Sequence, residues 1–402
     1  MLSRFTRLLV LSLILLSLAS PGFAARRSSL GGNLLIKDTD DIFFLPQRVV
    51  DYNRLLTFDY GSSSGLGSGG MIWGSERMVF GAFSHRSDFL GAIPNAFFTI
   101  GDFASINNDG QNDLFGTIGA GPAGGPFQWL DLLFGFGSNT PMGIRLSVGR
   151  AQDDTNAPPA PEDKSGVTSV DVVFGLTMKN AIELSGEVSF ASGTDEVAGT
   201  PGAKTETSPV GFAIGARKTA TEESEDLQFG WLGNFSYVTG GSDVTGTTTS
   251  ENDLTSMAFL VGLGPVYTPT ERTSVATYGT FAYQRTTDKT TAGGTTSELT
   301  STDYVIPGWN VAGEVELASW LQWRGGLVSR YVISNTKQEN TGAPNETTDT
   351  SGLSFEWHTG VGFTLGNFKL DGYIDPSVIT SGTDLLGNSN DLFGMVTASY
   401  GF

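Results

Sequence analysis

The chain contains no cysteine and only two histidines, His85 and His358, in 402 residues. Without thiols, disulfide scaffolds, thiolate metal sites and cysteine nucleophiles are excluded. Two histidines also rule out a His-rich metal site and disfavour a Ser-His-Asp triad. We therefore expect no enzyme, no metal site and no cofactor.

Charge is scarce and mostly of one sign. Charged residues make up 16% of the chain, against about 25% in a typical soluble protein, and 42 acidic residues outnumber 23 basic ones to give a net charge of −19. Because phosphate binding needs clustered Lys and Arg, we expect no nucleic-acid partner. Long apolar runs are missing as well: after Ala25 no stretch approaches the length of a membrane-spanning helix.

The first 24 residues have the pattern of a secretory signal peptide. Arg4 and Arg7 precede the apolar run Leu8–Leu18, and Gly22-Phe23-Ala24 forms a small-residue cleavage site. We expect cleavage after Ala24, which removes two arginines and changes the net charge from −19 to −21. No Cys follows, which excludes a lipoprotein anchor; the alternative is a retained N-terminal helix. Residues 25–53 then form an N-terminal periplasmic or hatch segment, and residues 54–402 the main domain.

Alternation of apolar and polar residues recurs along that main domain. In Leu227–Thr239 one face carries Leu227, Phe229 and Trp231, and the other is mostly polar; Ala181–Ser192 and Leu321–Ile333 repeat the pattern. Such a period predicts strands with one apolar and one polar face. The segments are longer than the usual globular strand and match the 9–11 residues of a tilted strand that crosses a bilayer.

The connections predict a transmembrane antiparallel β-barrel. Short turns alternate with long polar stretches rich in Thr, Gly, Ser and Asp, which is the rhythm of outer-membrane barrels. The long stretches, interpreted as external loops, are 151–164, 193–205, 240–255, 287–302, 335–351 and 376–390. Counting back from the C-terminus gives thirteen strands from Phe127 onward, and up to three more precede it. We predict about 14 strands, within a range of 14–16.

The last strand ends in an aromatic residue. Tyr400 and Phe402 share an apolar face, which resembles the membrane-insertion signal of bacterial outer-membrane proteins. The alternative is an edge strand that ends in Phe by chance, and the alternative fold is a soluble β-sandwich or propeller with polar outer faces. We expect a location in the outer membrane, with lipid, lipopolysaccharide and the barrel-insertion machinery as partners.

Polar faces of the predicted strands would line the lumen. The candidates are Arg145, Glu183, Glu187, Glu314, Glu316, Arg324, Arg330, Glu356, His358, Lys369 and Asp371. We expect Glu314 and Glu316 to face Arg324 and Arg330, and Glu356 and His358 to face Lys369 and Asp371. These charges form either a polar pathway or ion pairs that fill the lumen; an acid–base role of Glu314 and Glu316 is a weaker alternative. Glycines within strands are predicted to let the wall bend or a neighbour approach closely.

The segment 31–50 begins with Gly31-Gly32 and continues with the pair Asp40-Asp41 and with Pro46. It resembles the N-terminal segment of the FadL-like outer-membrane barrels and their PorV-type relatives: the Gly-Gly turn and the Asp-Asp pair of that family match, and of its Asn-Pro-Ala only the proline matches. The resemblance implies an N-terminal hatch folded into the lumen and a hydrophobic small-molecule cargo, such as a long-chain fatty acid. It assigns no ligand-binding residue. The alternative is a disordered periplasmic leader.

The segment 85–128 is long and apolar, with Phe89, Phe97, Phe98 and Phe103 as candidates for a hydrophobic docking groove at the barrel mouth. The alternative is a further strand pair in the wall. Within it, Asn107–Asp113 resembles a calcium loop but lacks the terminal Glu, so a plain polar turn is the other interpretation.

Three functions remain open at this stage. The first is transport of hydrophobic small molecules across the outer membrane. The second is a general diffusion porin, and the third is a secretion-shuttle or structural barrel.

Overall fold

The computed structural model describes twelve ranges of the chain: 25–61, 68–75, 77–84, 128–137, 140–155, 163–196, 204–219, 226–245, 250–270, 272–341, 344–374 and 393–402. The predicted signal peptide, the candidates Phe89, Phe97, Phe98 and Phe103, and the stretch Asn107–Asp113 lie outside these residues.

The described main domain consists of strands joined by turns. The strands are β1 (Arg54–Gly61), β2 (Ser68–Ser75), β3 (Met78–Ser84), β4 (Gln128–Phe136), β5 (Met142–Thr155), β6 (Asp163–Thr177), β7 (Ile182–Glu196), β8 (Lys204–Thr207 and Val210–Lys218), β9 (Leu227–Thr245), β10 (Ser250–Thr270), β11 (Thr273–Ala292), β12 (Thr295–Ala318), β13 (Leu321–Asn340), β14 (Glu346–Leu365), β15 (Phe368–Ile374) and β16 (Phe393–Gly401).

These strands close into one antiparallel barrel. Each strand pairs with its sequence neighbours, and β1 pairs with β16 over Leu55↔Gly401 to Gly61↔Met395, which leaves no free edge. The two pieces of β8 both pair with β7 and β9, and the break falls at Pro209, which cannot donate to the ladder. They therefore count as one strand.

The barrel has sixteen strands, so the value of 14 is wrong and the upper end of the predicted range is correct. The thirteen strands predicted from residue 127 onward correspond to β4–β16. The three short stretches before it all join the wall as β1, β2 and β3. Their shortness, at 7 to 8 residues each, made them hard to recognise from the alternation alone.

Several stretches predicted as external loops are in fact strand. Strands β9–β14 run to 19–24 residues and include most of 240–255, 287–302 and 335–351. The hairpin between β11 and β12 turns on Gly293 and Gly294, both with positive φ, as a two-residue hairpin turn requires. The loop-side ends of these strands are rich in threonine, which has a high strand propensity. They are polar because they extend past the apolar part of the wall.

The outer face of the barrel is apolar and the inner face is mostly small or polar. On β10 the outward positions Phe259, Val261 and Leu263 are exposed, whereas the inward Leu260 and Gly262 are covered. Exposed aromatic side chains continue this outer belt on other strands, at Trp73, Phe134, Phe174, Phe212, Phe229, Trp309, Trp323 and Phe355. The alternation predicted from the sequence is thus confirmed.

The N-terminal segment, residues 25–53, lies inside the barrel. It contains α1 (Ala25–Ser29), α2 (Asp41–Phe44) and a 3-10 helix (Pro46–Asp51), and it contacts inward residues of β2–β16. A further 3-10 turn, Lys179–Ala181, joins β6 to β7. Among the described residues, no helix is both long and apolar enough to cross a membrane.

Candidate functional site

The candidate site is the contact between the N-terminal segment and the inner wall. A row of small residues crosses five adjacent strands there: Gly135, Gly143, Gly175, Ser185 and Gly215 stand opposite one another in register. Four glycines leave a shallow groove in the inner surface, because no side chain rises from them. We call this row the glycine groove.

The 3-10 helix Pro46–Asp51 lies in the glycine groove. A Cβ at Gly143 would overlap the backbone of Pro46 and Gln47, and a Cβ at Gly175 would overlap the Gln47 side chain. At Gly135 the overlap would be with Val49. These glycines therefore serve a close approach of the segment, which is one of the two roles predicted for glycine within the strands.

The opposite wall receives α1 in the same way. A Cβ at Gly326 would overlap the backbone of Leu30 and Gly31, and one at Gly360 would lie 2.5 Å from the Cβ of Ser29. Glycine at these two inward positions of β13 and β14 thus brings α1 against the wall backbone.

The Gly31-Gly32 pair turns the chain after α1. Both residues have positive φ, +59° and +68°, which glycine adopts without steric cost. Asn33 follows and donates to Asn310 Oδ1 at 2.7 Å, while Asn310 donates back to the Gly31 carbonyl at 2.8 Å. The Asn33 carboxamide oxygen also accepts from the backbone N–H of Leu35 at 3.0 Å. The turn is therefore tied directly to β12.

A buried ion network joins α2 to the wall. Asp41 is fully buried and accepts from Arg27 of the segment and from Arg217 of β8. Arg217 also donates to Glu183 Oε2 at 2.8 Å and to the Leu34 carbonyl at 2.9 Å. Glu183 in turn accepts from Arg48 of the 3-10 helix. Removing one partner from such a network leaves an uncompensated buried charge, at a cost of about 3–5 kcal/mol.

Asp41 titrates well below the ordinary range. Burial alone would raise the pKa of this carboxyl, but Arg217 and Arg27 outweigh it and lower the pKa to about 2 from 3.8. The ring of Phe44 lies between the two guanidiniums, with centroid distances of 5.4 Å to Arg27 and 5.8 Å to Arg217. The network is thus charged at any physiological pH.

A second ion network joins α1 to β12, β13 and β15. Arg26 donates to Glu314 Oε1 at 2.8 Å and lies 3.2 Å from Asp38. Glu314 also faces Arg324 at 3.4 Å, and Arg324 pairs with Asp371. Arg324 reaches Asp371 across the intervening strand β14, whose inward residue there is Gly362; a Cβ at Gly362 would lie 2.6 Å from the guanidinium.

Apolar contacts complete the seat of the segment. Its aliphatic side chains Leu30, Leu34, Leu35, Ile36 and Leu45 form one cluster with inward residues of β9–β13, namely Leu232, Leu260, Val266, Ala276, Tyr278, Ala282, Val305, Ala312 and Val332. Ile42, Phe43 and Val49 form another with the inward Ile72, Val79, Phe83 and Leu133. The larger aliphatic surface of the inner wall thus lies on β9–β13, and we call it the aliphatic half, although Glu314 and Arg324 of the second ion network stand on two of the same strands.

The expected ion pairs formed only in part. Glu314 meets Arg324 as predicted, but Arg330 lies 3.9 Å from Glu356 instead, and Glu316 lies 4.0 Å from Arg272. Glu356 and His358 do not face Lys369 and Asp371, because Lys369 is opposite Thr364 and Asp371 is opposite Gly362 in the register.

The remaining lumen candidates are inward-facing. Arg145 donates to the Phe43 carbonyl and lies 3.5 Å from Asp131, and Glu187 accepts from Ser189 at 3.4 Å. His358 lies 3.7 Å from Glu356, and its ring closely approaches Gly31. Lys369 is exposed at the end of β15 that carries the short turn.

The hatch and insertion candidates also have defined places. Asp41 belongs to the first ion network, and Pro46 begins the 3-10 helix at a position where its missing N–H costs nothing. Asp40 lines a cavity between the segment and β1, β15 and β16, together with Arg26, Asp38, Asp59 and Asp371. Tyr400 and Phe402 are exposed on the outer face, 41% and 50% respectively.

Sequence reasoning missed the segment's own charges. Arg26, Arg27, Arg48 and Asp38 carry much of the contact with the wall, and no motif distinguishes them. The signal that was available is their density: the segment is rich in charge, although the chain as a whole is not. Within the described residues no cluster of three or more metal-ligating side chains occurs.

Comparisons with known proteins do not identify a family for this chain. No protein-family model matches the chain, and no curated protein matches it. Among solved structures, the ferric yersiniabactin uptake receptor FyuA from Yersinia pestis is 7% identical with a TM-score of 0.38, over 87% of this chain and 80% of that one. The alcaligin outer-membrane receptor FauA from Bordetella pertussis is 10% identical, with a TM-score of 0.39, over 80% of this chain and 60% of that one.

The transport unit of the autotransporter AIDA-I from Escherichia coli is 10% identical with a TM-score of 0.26, over 95% of this chain and all of that one. Because all three TM-scores are low, the fold assignment rests on the strand pairing of this chain itself. The resemblance to FadL-like barrels is not supported. The residues that carry it have local structural roles here: Gly31 and Gly32 form a turn, Asp41 joins an ion network and Pro46 starts a helix.

We expect Gly143→Ala to dislodge the segment, since its methyl group would overlap the Pro46 backbone. Trypsin should then cleave after Arg27 and Arg48, which are covered in the wild type, and cleavage is detected by mass spectrometry. Gly186→Ala is the matched control, because a Cβ there meets nothing within 4 Å. Equal protection of the two variants would contradict the close fit of the glycine groove.

The low pKa of Asp41 predicts acid sensitivity of the folded state. Its folded pKa lies below the ordinary value, so the stabilisation is present above pH 4 and lost as the pH falls from 4 to 2; its size is on the order of 2 kcal/mol. Denaturant midpoints of the wild type should converge on those of Asp41→Asn over this window. Curves that stay parallel from pH 5 to pH 2 would contradict the assignment.

Proposed function

We propose that this protein is an outer-membrane β-barrel that transports small molecules, with the N-terminal segment as its resting closure. The observation that carries the proposal is the segment's fit inside the lumen, in a groove of wall glycines and between two ion networks. The proposal assigns no catalytic step, since Glu314, one of the two carboxylates considered for acid–base chemistry, is engaged by two guanidiniums.

The membrane location is supported by the outer belt. On β10 the outward residues from Met257 to Tyr267 are apolar, and at about 3.3 Å per residue and a tilt near 40° they span about 25 Å. That height matches the apolar band of outer-membrane barrels. The terminal Phe402, exposed on the same face, agrees with insertion by the barrel-insertion machinery, with lipid and lipopolysaccharide as the surroundings.

The role of closure is supported by the way the segment is held. A barrel of about sixteen strands is wide enough for an aqueous channel, and the segment contacts the inner wall from β2 round to β16. Its contacts are ion pairs and close van der Waals approaches rather than covalent bonds. The segment therefore has a well-defined seat from which it is able to leave during transport.

Hydrophobic small molecules, with long-chain fatty acids as one example, are the cargo class we propose. Support comes from the aliphatic half of the inner wall, where Leu232, Leu260, Val305 and Val332 face inward. A ligand that displaces the segment would contact this apolar surface in its place. A general diffusion porin is the second candidate, favoured by the strand number; it requires that the segment leave a permanent open path.

Single-channel conductance tests this proposal. Wild-type protein in a planar bilayer should show small or infrequent openings, whereas Gly143→Ala should show a large and steady conductance because its segment is unseated. Gly186→Ala should behave like the wild type. A large steady conductance from the wild type would favour the porin, and silence of Gly143→Ala would contradict transport through this lumen.

A further inference from the structure

The inward-facing charges on the loop side of the glycine groove are mostly negative. On β4–β7 the carboxylates Asp131, Asp171 and Glu187 stand on the inner face with one guanidinium, Arg145. All three carboxylates lie farther from the short-turn end of the barrel than the glycine groove does. Counted along the inward positions away from that end, Asp131 comes after Gly135, Asp171 after Gly175 and Glu187 after Ser185. This region lies on the route of any solute that reaches the segment from the loop end.

Strands β11–β14 show a similar excess of inward carboxylates over guanidiniums. Asp288 of β11 stands opposite the buried Leu254, and Asp303 of β12 stands opposite the buried Gln284. Both positions are therefore inward. On β14 the alternation that buries Gly360 and Gly362 also places Glu356 and Glu346 on the inner face, where Arg330 of β13 is the one guanidinium among the described residues.

Together these strands carry seven carboxylates against two guanidiniums, counted over the described side chains that face inward on the loop side of the glycine groove. Negative charges are also in excess in the cavity beside the segment, where Asp38, Asp40, Asp59 and Asp371 line the wall together with Arg26. A lumen walled by low-dielectric protein focuses the field of such charges, which raises the local concentration of cations and lowers that of anions.

We infer that the pathway discriminates by charge: it favours cationic solutes, or apolar molecules with a cationic or neutral head group, over carboxylates of the same size. The inference rests on the proposed transport function and narrows its cargo: within the hydrophobic class it disfavours ionised long-chain fatty acids, the example given above. An ionised fatty acid would have to pass seven like charges, whereas an alkylamine of equal length would be attracted by them. The aliphatic half of the wall would contact the hydrocarbon tail of either molecule equally well.

The test measures reversal potentials of the full-length Gly143→Ala protein in a planar bilayer, under a tenfold KCl gradient at pH 7.5. We expect K⁺ permeability several-fold above that of Cl⁻. The double variant Asp288→Asn/Asp303→Asn, built into the same background, should lower this ratio. The matched control is Asp253→Asn/Glu298→Gln, which removes two carboxylates from the outward faces of β10 and β12 and should leave the ratio unchanged.

The outcomes separate this inference from the function on which it rests. A conducting channel that prefers Cl⁻, or that shows no preference, would overturn the charge selectivity and leave transport intact. An equal effect of the inward and outward double variants would also overturn it, because a surface charge would then be responsible. Absence of conductance would contradict the transport function itself. If the inward double variant does not fold, Asp288→Asn alone is measured against Asp253→Asn.

Discussion

The structure depends first on the pairing of β1 with β16. Strands whose outer faces carry Phe, Trp, Leu and Val cannot leave backbone N–H and C=O groups unpaired in an apolar environment. Closure of the ladder between Leu55 and Gly401 removes both free edges, so that every strand has two partners. Once the wall is closed, its inward faces enclose a lumen, and what fills that lumen determines what the protein does.

The lumen is shaped to hold the protein's own N-terminal segment. Glycine in a strand interior usually weakens the strand. Here glycine stands in a row of positions where the 3-10 helix approaches the wall backbone too closely for a larger side chain. The two ion networks then fix the segment's rotation and depth, since Arg217 and Glu314 each join a wall charge to a segment charge. Neither network is an efficient way to stabilise a fold, whereas both are well suited to specifying one position of the segment.

The architecture was predictable from the sequence because it depends on a period of two, which is written in every strand. The alternation in Leu227–Thr239 predicted the correct outward face, and the thirteen strands after residue 127 were counted correctly. The loop ends of β11 and β12 were misassigned, since polarity was interpreted as loop although threonine favours strand as well. The glycine groove was invisible because it exists only in register: Gly135, Gly143 and Gly175 are unremarkable until three strands are aligned. The partners predicted for Arg330 and Asp371 were wrong for the same reason, because a shift of the register by one residue changes which charges meet.

The central claim is that the segment must leave its seat for the pathway to open, and the cysteine-free chain allows a direct measurement. Asn33 of the segment and Asn310 of β12 are in hydrogen-bond contact, so Asn33→Cys/Asn310→Cys introduces the protein's only thiols at that contact. We predict that the oxidised double variant transports no solute into proteoliposomes and that reduction restores transport. Equal transport by the oxidised and reduced forms would contradict the claim.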